Sequence, residues 1–452
     1  MGMGHFLPLA EFAKRLCTFD GFSITFIISK WMWGSQQPTL VQRLASSALD
    51  IHFTEIPDVT VDEDEQHMRG ETILSKYVLK AKPHIQELLQ SLHSSSPISA
   101  FITDFFCTDL LDVSARLNMP SYLFYPTSAS FVCFMFHLPK LVSEIEVWFK
   151  EADFDVEIAG LPLISATDLP TAVQDRSNSA FYWFVHHASH FKEASGILIN
   201  TFAELEEEAI KALSAAANPS IYPIGPLIFP VSDAPDESRC LEWLAEQPPS
   251  SVLFVSFGSL AVLSSDQITD LAIGLEASGH RFLWVLRAYK SGGSSSLEND
   301  ISKLLPEGFE IRTRDRGLVL LNWAPQVRIL SHPSTGGFLS HCGWNSTLES
   351  VWHGIPMIAW PQAAEQRMNK VILVKQIQGG IELRIESNGF VRREEVERAV
   401  RELMEGEEGS KARQKMKELK DKAKIALMEG GSTMKATADA ATHLSHKPGL
   451  TP

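Results

Sequence analysis

The sequence predicts an α/β fold with parallel sheets in two domains, and three observations support this. Short β-branched and apolar runs alternate with longer amphipathic stretches, which is the pattern of repeated βαβ units. The length of 452 residues exceeds the size at which one hydrophobic core usually stops growing. Residues 229–238 (FPVSDAPDES) are rich in Pro, Ser and Asp and lack an apolar period, as expected of a linker. We therefore expect domains over 1–228 and 241–430, a linker over 229–240, and a C-terminal helix and tail over 431–452 that packs back on the first domain.

The strand candidates form two series, one in each expected domain. The first series covers residues 23–29, 51–56, 98–102, 121–124 and 196–200. Amphipathic stretches at residues 7–16 and 79–92 predict helices that accompany these strands. The second series covers residues 251–256, 282–286, 317–320, 335–339 and 356–359.

Composition and charge exclude several classes of function. The net charge of −15 argues against nucleic acid as a partner, because phosphate backbones are bound by clustered Lys and Arg. The most apolar segment, residues 128–138, is far shorter than the ~20 residues that span a bilayer, so we expect a buried helix and no membrane insertion. Five scattered cysteines without a CxxC pair indicate neither a disulfide framework nor a zinc site, and they favour a reducing, cytoplasmic location. We expect a monomer.

Two surface loops are predicted by their composition. Residues 290–299 (KSGGSSSLEN) are rich in Gly and Ser. Residues 61–66 (VDEDEQ) contain Asp-Glu-Asp, which can hold a divalent metal, but the run follows no strand cleanly and lies in a charge cluster. A solvated loop is the better interpretation, so the sequence predicts no metal site.

A strand, a glycine turn and a helix follow one another in the second domain. Residues 337–339 end an apolar run, His341 and Gly343 follow in the turn, and residues 347–351 have a helical pattern. A helix that begins directly after a strand attracts anions, because backbone N–H groups and the positive end of the helix dipole point toward the ligand. Gly343 permits close backbone approach, whereas Asn345 and Ser346 can bind the anion, cap the helix, or do both. The segment predicts a phosphate site that needs no excess of Lys or Arg.

The 44 residues that begin at Trp323 and end at Gln366 resemble, almost position by position, the donor-sugar signature box of plant family-one UDP-glycosyltransferases. This resemblance implies the GT-B architecture, in which two doubly wound Rossmann-like domains face a central cleft. It also implies that UDP-glucose is the co-substrate, that no cofactor or metal is needed, and that the hexose is transferred with inversion. The first domain would bind the acceptor and the second the UDP-sugar.

The resemblance also assigns roles to single residues. Trp323 would stack on the uracil, while Ala324 and Gln326 would read its edge. Glu349 would accept the ribose hydroxyls, and Gln366 together with Trp344 resembles members that prefer glucose. The full set assigned to the donor is Thr127, Ser259, Trp323, Ala324, Gln326, His341, Gly343, Trp344, Asn345, Ser346, Glu349, Glu365 and Gln366. Glu365 stands where the family usually has Asp, and its longer carboxylate can still accept hydrogen bonds from the sugar.

His5 is the candidate general base. Transfer to a hydroxyl needs a base within hydrogen-bond reach of the acceptor, and neutral imidazole suits pH 7. The segment Gly-Met-Gly-His, followed by a helical pattern, resembles the family segment that carries the catalytic His. Asp104 ends an apolar strand pattern 99 residues later and resembles the family Asp that orients this His. Asp109 and Asp112 are competing carboxylates, for which helix capping or a solvated face is the better account.

The sequence gives less information about the acceptor and its binding residues than about the donor. Phe131, Phe134 and Phe136 lie where the family lines its acceptor pocket, although a core helix explains them equally well, and Ala364 is assigned to the acceptor by resemblance. The N-terminal segment resembles the branch that acts on phenols, monolignols and flavonoids, so we expect glucose transfer to a phenolic or flavonoid-like hydroxyl. Attack by an aromatic carbon stays open, as does a donor-binding but catalytically weak protein. An NAD-dependent oxidoreductase is disfavoured, because no G-x-G-x-x-G turn follows an early strand.

The start of the chain departs from the family pattern. The family has a buried central strand before the Gly-His turn, whereas only Met1 precedes that turn here. Losing about five core side chains at ~1.5–3 kcal/mol each would exceed the usual stability of a domain, ~5–15 kcal/mol. We therefore expect the natural protein to carry an additional N-terminal strand.

Overall fold

The computed structural model describes residues 2–29, 37–61, 68–145, 147–215, 218–229, 239–259, 261–287 and 301–445. The chain divides into two compact units: unit 1 comprises residues 1–229 and 425–452, and unit 2 comprises residues 230–424. Most of the expected linker, the acidic run after Val61 and the expected Gly/Ser loop lie outside the described residues, as does the tail after Ser445.

The described residues of unit 1 form two parallel sheets and one short antiparallel pair. Its strands are β1 (Ile24–Ile28), β2 (Ile51–Glu55), β3 (Phe101–Asp104), β4 (Ser121–Tyr125), β5 (Asp155–Val156), β6 (Ile164–Ser165), β7 (Gly196–Ile199) and β8 (Ser220–Pro223). The larger sheet has the order β3-β4-β7-β8, and β1 pairs with β2 in a separate sheet. All of these pairings are parallel except that of β5 with β6.

Helices cover these sheets. They are α1 (Met3–Leu16), α2 (Gln37–Ala45), α3 (Gly70–Ser95), α4 (Leu111–Arg116), α5 (Ala129–Glu144), α6 (Ser179–His190), α7 (Glu207–Ser214) and α16 (Ser432–Ser445), with a 3-10 helix over Phe105–Leu110. The spacing of Leu9, Phe12 and Leu16 puts one apolar face of α1 into a core that also contains Leu444 of α16. The C-terminal helix is therefore part of unit 1.

In unit 2, the part of the chain that the structure describes forms one parallel sheet of six strands. These are β9 (Val252–Ser256), β10 (Arg281–Leu286), β11 (Gly317–Leu321), β12 (Thr335–Ser340), β13 (Met357–Ala359) and β14 (Gly380–Glu382). Their order is β11-β10-β9-β12-β13-β14. Every neighbouring pair is parallel, so all six carboxyl ends meet at one edge of the sheet.

The helices of unit 2 lie on a buried sheet. They are α8 (Cys240–Ala245), α9 (Ser265–Ser278), α10 (Phe309–Thr313), α11 (Gln326–Ser331), α12 (Trp344–His353), α13 (Gln366–Val371), α14 (Arg393–Glu405) and most of α15 (Glu407–Leu427). Gly274 lets α9 approach α14, since a Cβ at this position would lie 2.6 Å from the Cβ of Val396. The core of this unit includes Trp284 and Trp360, both almost fully buried.

The structure confirms the predicted α/β fold class. Each expected strand overlaps an observed one, and the expected buried helix at 128–138 is α5. β5, β6, β8 and β14 were not expected, because each has only two to four residues and includes a charged residue, Ser or Pro that interrupts the apolar pattern. No helix within the described part of the chain is both long and apolar enough to cross a membrane.

Candidate functional site

The carboxyl edge of the sheet in unit 2 brings the predicted donor residues together. β9 and β12 are neighbours, and Ser256 pairs with Ser340, so the turns after these two strands lie side by side. Ser259 belongs to the first turn, where its side chain is exposed. In open parallel sheets, ligands bind at the carboxyl ends of the strands. The sheet topology alone therefore favours a ligand here.

The imidazole of His341 is packed against two glycines at this edge. A Cβ on Gly258 would lie 2.6 Å from Nε2 of the imidazole, and a Cβ on Gly343 would lie 2.5 Å from the same atom. Burial lowers the pKa of His341 to about 4, so the ring is neutral at pH 7. Its Nδ1 is buried and has no hydrogen-bond partner among the described residues. A buried polar atom of this kind indicates a group supplied by a ligand or water.

The amino end of α12 lies directly after this turn. The helix begins at Trp344, with Gly343 as its N-cap residue. The alternative in which Asn345 or Ser346 caps the helix is therefore wrong, because both lie inside its first turn. The positive end of the helix dipole points to the same edge as His341, which gives an anion site without a cationic side chain.

The resemblance assigned Trp344 to the donor, but its indole is only 2% exposed. The ring therefore packs in the core of unit 2, where it supports the start of α12. Its side chain offers almost no surface to a ligand.

Three predicted donor residues form one hydrogen-bonded cluster beside α12. The Nε2 amide of Gln326 donates to Ser346 Oγ at 2.9 Å and to Glu349 Oε2 at 2.8 Å. Desolvation raises the pKa of Glu349 to about 7, and the hydrogen bond from Gln326 opposes this increase. A half-buried carboxylate of this kind is ready to accept hydroxyl donors.

Trp323 follows β11 and is 60% exposed, a large exposure for an indole. The preceding residue, Asn322, has a φ of 67°, a left-handed conformation that turns the chain sharply after the strand. Ala324 is buried, and Gln326 begins α11. An exposed flat ring next to polar groups suits stacking on a planar ligand.

The turn after β13 holds the last residues of the signature box. Gln366 Oε1 accepts backbone N–H groups of Gln362 and Ala363, each at 2.9 Å, which fixes the orientation of its amide. Ala364 lies in this turn with a φ of 54°. Glu365 is the N-cap residue of α13.

Asn369 was missed by the sequence analysis. It is buried, and its Nδ2 donates to Cys342 O at 3.0 Å and to Glu365 Oε1 at 3.3 Å. It thus ties the turn after β12 to the turn after β13. It lies three residues past the box, so only helical spacing from Glu365 could have indicated it.

In unit 1 the structure brings His5 and Asp104 together. His5 lies in the first turn of α1, and its Nδ1 is 2.7 Å from Asp104 Oδ2. Asp104 is fully buried at the end of β3, where its Oδ1 accepts the backbone N–H of Phe106 at 3.0 Å. A ring that donates from Nδ1 to a carboxylate carries its lone pair on Nε2. This arrangement can hold a neutral imidazole in the tautomer that a base needs.

Aromatic rings surround this pair. The rings of Phe105 and Phe106 stack near the imidazole, with centroids 5.8 and 6.1 Å away. Neither residue was singled out from the sequence, although both directly follow Asp104. Phe131 is fully buried behind Phe105, with centroids 5.8 Å apart, so it supports the aromatic wall from inside the core. Thr127 Oγ1 is buried and lacks a hydrogen-bond partner among the described residues.

The rest of the aromatic stretch also packs inward. Phe134 is fully buried and contacts Phe131, while the half-buried Phe136 contacts Phe191. Both therefore act as parts of the core of unit 1.

The competing carboxylates have other partners. Asp112 pairs with Lys82 at 2.7 Å and with Arg116 at 3.0 Å. Asp109 Oδ1 is 3.0 Å from His186 Nε2, rather than capping a helix.

Among the described residues, one group has the spacing of metal ligands: Asp109, His186 and His187. Both ring nitrogens of His187, however, are engaged by Ser75 Oγ at 2.9 Å and Thr108 Oγ1 at 2.7 Å. A metal bound by His187 would therefore have to displace one of these two hydrogen bonds.

Comparisons with known proteins show which family the chain resembles. Residues 234–421 match the family described as UDP-glucoronosyl and UDP-glucosyl transferase. The chain is 43% identical to UDP-glycosyltransferase 72B1 of Arabidopsis thaliana, over 96% of this chain and 92% of that one. It is 41% identical to hydroquinone glucosyltransferase of Rauvolfia serpentina, over 99% of this chain and 96% of that one.

A solved structure shows a similar fold over almost the whole length of this chain. Phytolacca americana UGT2, complexed with UDP-2fluoro-glucose and pterostilbene, superposes with a TM-score of 0.90. The two chains are 40% identical, and the match covers 99% of this chain and 98% of the other.

Proposed function

Because the chain belongs to the plant family-one UDP-glycosyltransferases, and is thus an enzyme of the GT-B fold, we propose that it transfers glucose from UDP-glucose to a hydroxyl of a small phenol. Two similar proteins are named for, or solved with, phenolic compounds: hydroquinone and pterostilbene. The observation that carries the proposal is the His5–Asp104 pair, set in an aromatic wall that suits a phenol.

His5 acts as the general base on the acceptor. Its ring takes the proton of the phenol hydroxyl as the oxygen attacks C1 of glucose, and the bond from C1 to the diphosphate oxygen breaks. UDP leaves with the electron pair of that bond, and a single displacement inverts the anomeric centre. Asp104 keeps the ring in its reactive tautomer and stabilises the imidazolium, which then releases its proton to solvent.

Unit 2 binds the donor. Trp323 stacks on the uracil, and Glu349 accepts the ribose hydroxyls while Gln326 holds its carboxylate in place. The amino end of α12 and the imidazole of His341 stabilise the negative charge that grows on the departing diphosphate. These groups supply the stabilisation that a divalent cation gives in other glycosyltransferases.

The direct test is product analysis with UDP-glucose and a panel of phenols in excess EDTA. We expect one β-glucoside for each accepted phenol, formed at the same rate with and without the chelator. β-Glucosidase should release the glucose, because an O-glucoside is cleaved and a C-glucoside is not. Absence of any glucoside, or loss of turnover in EDTA, would refute this part of the proposal.

Donor binding should weaken at acid pH. The pKa of Glu349 is raised to about 7, so its carboxyl is about 90% ionised at pH 8 and about 10% ionised at pH 6. Only the ionised form accepts two hydroxyl hydrogen bonds, so the Kd for UDP-glucose should rise about tenfold between pH 8 and pH 6. The diphosphate diester of UDP-glucose does not titrate in this range.

Calorimetric titration of UDP-glucose at both pH values measures this change. Glu349→Gln is the matched control, and its Kd should not depend on pH in this range. An unchanged native Kd, or a Glu349→Gln chain that keeps the pH dependence, would contradict the role of this carboxylate.

A further inference from the structure

Arg287 directly follows β10 at the carboxyl edge of the sheet in unit 2, and the mechanism proposed above gives it no role. In the sheet order, β10 lies between β11 and β9. Trp323 follows β11, and Ser259 lies in the turn after β9. By its strand, Arg287 therefore lies between the residue assigned to the uracil and the turn assigned to the diphosphate.

The guanidinium of Arg287 extends toward the diphosphate side of this edge. Its Nη1 donates to Gly258 O at 3.5 Å, in the turn after β9. Gly258 packs against the His341 ring, since a Cβ on this glycine would lie 2.6 Å from Nε2. Two strand spacings, about 10 Å, separate β10 from β12. The guanidinium has thus crossed the first of these spacings, and it lies beside the turn that contacts His341.

The donor residues proposed above carry no full positive charge. His341 is neutral at pH 7, because burial lowers its pKa to about 4. The amino end of α12 contributes only about half an elementary charge, whereas UDP-glucose carries one negative charge on each phosphate. The net charge of −15 also makes the chain as a whole repel an anion. A cation beside the diphosphate would compensate for both effects.

We propose that Arg287 binds the diphosphate of the donor through its guanidinium, an inference that rests on the function proposed above. Guanidinium N–H groups match phosphate oxygens in geometry and charge, and such charge-assisted hydrogen bonds are stronger than neutral ones. Among the described residues, no carboxylate forms an ion pair with Arg287. Arg287 thus supplies the counter-charge that the helix dipole and the neutral imidazole lack.

A purely structural role for Arg287 would have a different signature. In that role the guanidinium holds the Gly258 turn in place through its bond to a neutral carbonyl oxygen. Such a bond depends little on ionic strength. A contact between a guanidinium and a diphosphate is weakened by salt, because the mobile ions screen both charges. The salt dependence of nucleotide binding therefore separates the two roles.

Calorimetric titration of the full chain with UDP and with uridine tests the proposal. Arg287→Gln should raise the Kd for UDP about 30-fold, and it should leave the Kd for uridine within about twofold, because uridine has no phosphate. At about 0.5 M salt, the difference for UDP should fall below about tenfold. Arg281→Gln is the matched control. Arg281 lies at the opposite end of the same strand, where its Nε donates to Gln247 Oε1 at 3.1 Å, so both Kd values should stay native.

The native chain separates this inference from the proposed function. If the native chain does not bind UDP, the proposed function fails, and the inference fails with it. If the native chain binds UDP, three results overturn the role of Arg287 alone: an Arg287→Gln chain that binds UDP within about threefold of native affinity, an equal loss of uridine and UDP binding, or a difference that does not change with salt.

Arg287→Lys decides the outcome if Arg287→Gln does not fold. Lys keeps the charge but lacks the planar fork of donors. The Lys chain should bind UDP within about tenfold of native affinity and keep the native salt dependence. Loss of either property overturns the proposal.

Discussion

Replacing His5 with Ala should lower kcat about 10³-fold, since a positioned general base contributes about 10²- to 10⁴-fold to a proton-transfer step. The substitution removes the ring whose Nδ1 lies 2.7 Å from Asp104 Oδ2. Asp104→Asn should also lower kcat, by about 10²-fold, because it removes the charge that stabilises the imidazolium. Initial rates of phenol glucosylation at saturating UDP-glucose measure both effects.

His52 provides a matched control for this prediction. Its Nε2 is 2.7 Å from Asp50 Oδ1, so it forms a His–Asp pair in the same unit, but both side chains are more than half exposed. His52→Ala should therefore keep native turnover. A His5→Ala chain that keeps kcat within about fivefold of the native value would remove this residue from the mechanism.

Replacing Gly343 with Ala should weaken UDP-glucose binding about 100-fold. The new Cβ would lie 2.5 Å from Nε2 of His341, and Gly258 also approaches this ring closely, so the imidazole has little room to move. The clash displaces both the imidazole and the first turn of α12, and the loss of one or two hydrogen bonds to a charged diphosphate accounts for this factor. The backbone at residue 343 is extended, with a φ of −61°, so Ala adds steric conflict without backbone strain.

Two further variants separate binding from folding. Gly70→Ala is the control for the substitution itself, since a Cβ there meets nothing within 4 Å. Gly343→Ala combined with His341→Ala relieves the clash, so Tm should recover while binding stays weak. A Gly343→Ala chain that binds UDP-glucose within about threefold of native affinity would contradict the proposed diphosphate site.

The sequence predicted the fold well where apolar runs were long. The strand expected at 251–256 is β9, and the helix expected at 79–92 is the central part of α3. Prediction failed for β5, β6, β8 and β14, in which polar residues or Pro interrupt the apolar pattern. It also failed for the start of α12, because Gly343 rather than a polar side chain occupies the N-cap position.

The site was predictable where residues lie close together in the chain. The cluster of Gln326, Ser346 and Glu349 spans 23 residues and falls inside one recognisable box. His5 and Asp104 are 99 residues apart, and only the family resemblance connected them before the structure was known. Asn369 and the rings of Phe105 and Phe106 act through tertiary packing, which no local pattern encodes.

In the proposed mechanism, the base in unit 1 and the donor site in unit 2 are separate parts of one enzyme. Calorimetric titration of UDP-glucose into the His5→Ala chain tests it most directly. We predict native affinity in this chain despite its loss of turnover. A His5→Ala chain that no longer binds UDP-glucose would contradict the account, because His5 would then belong to the donor site.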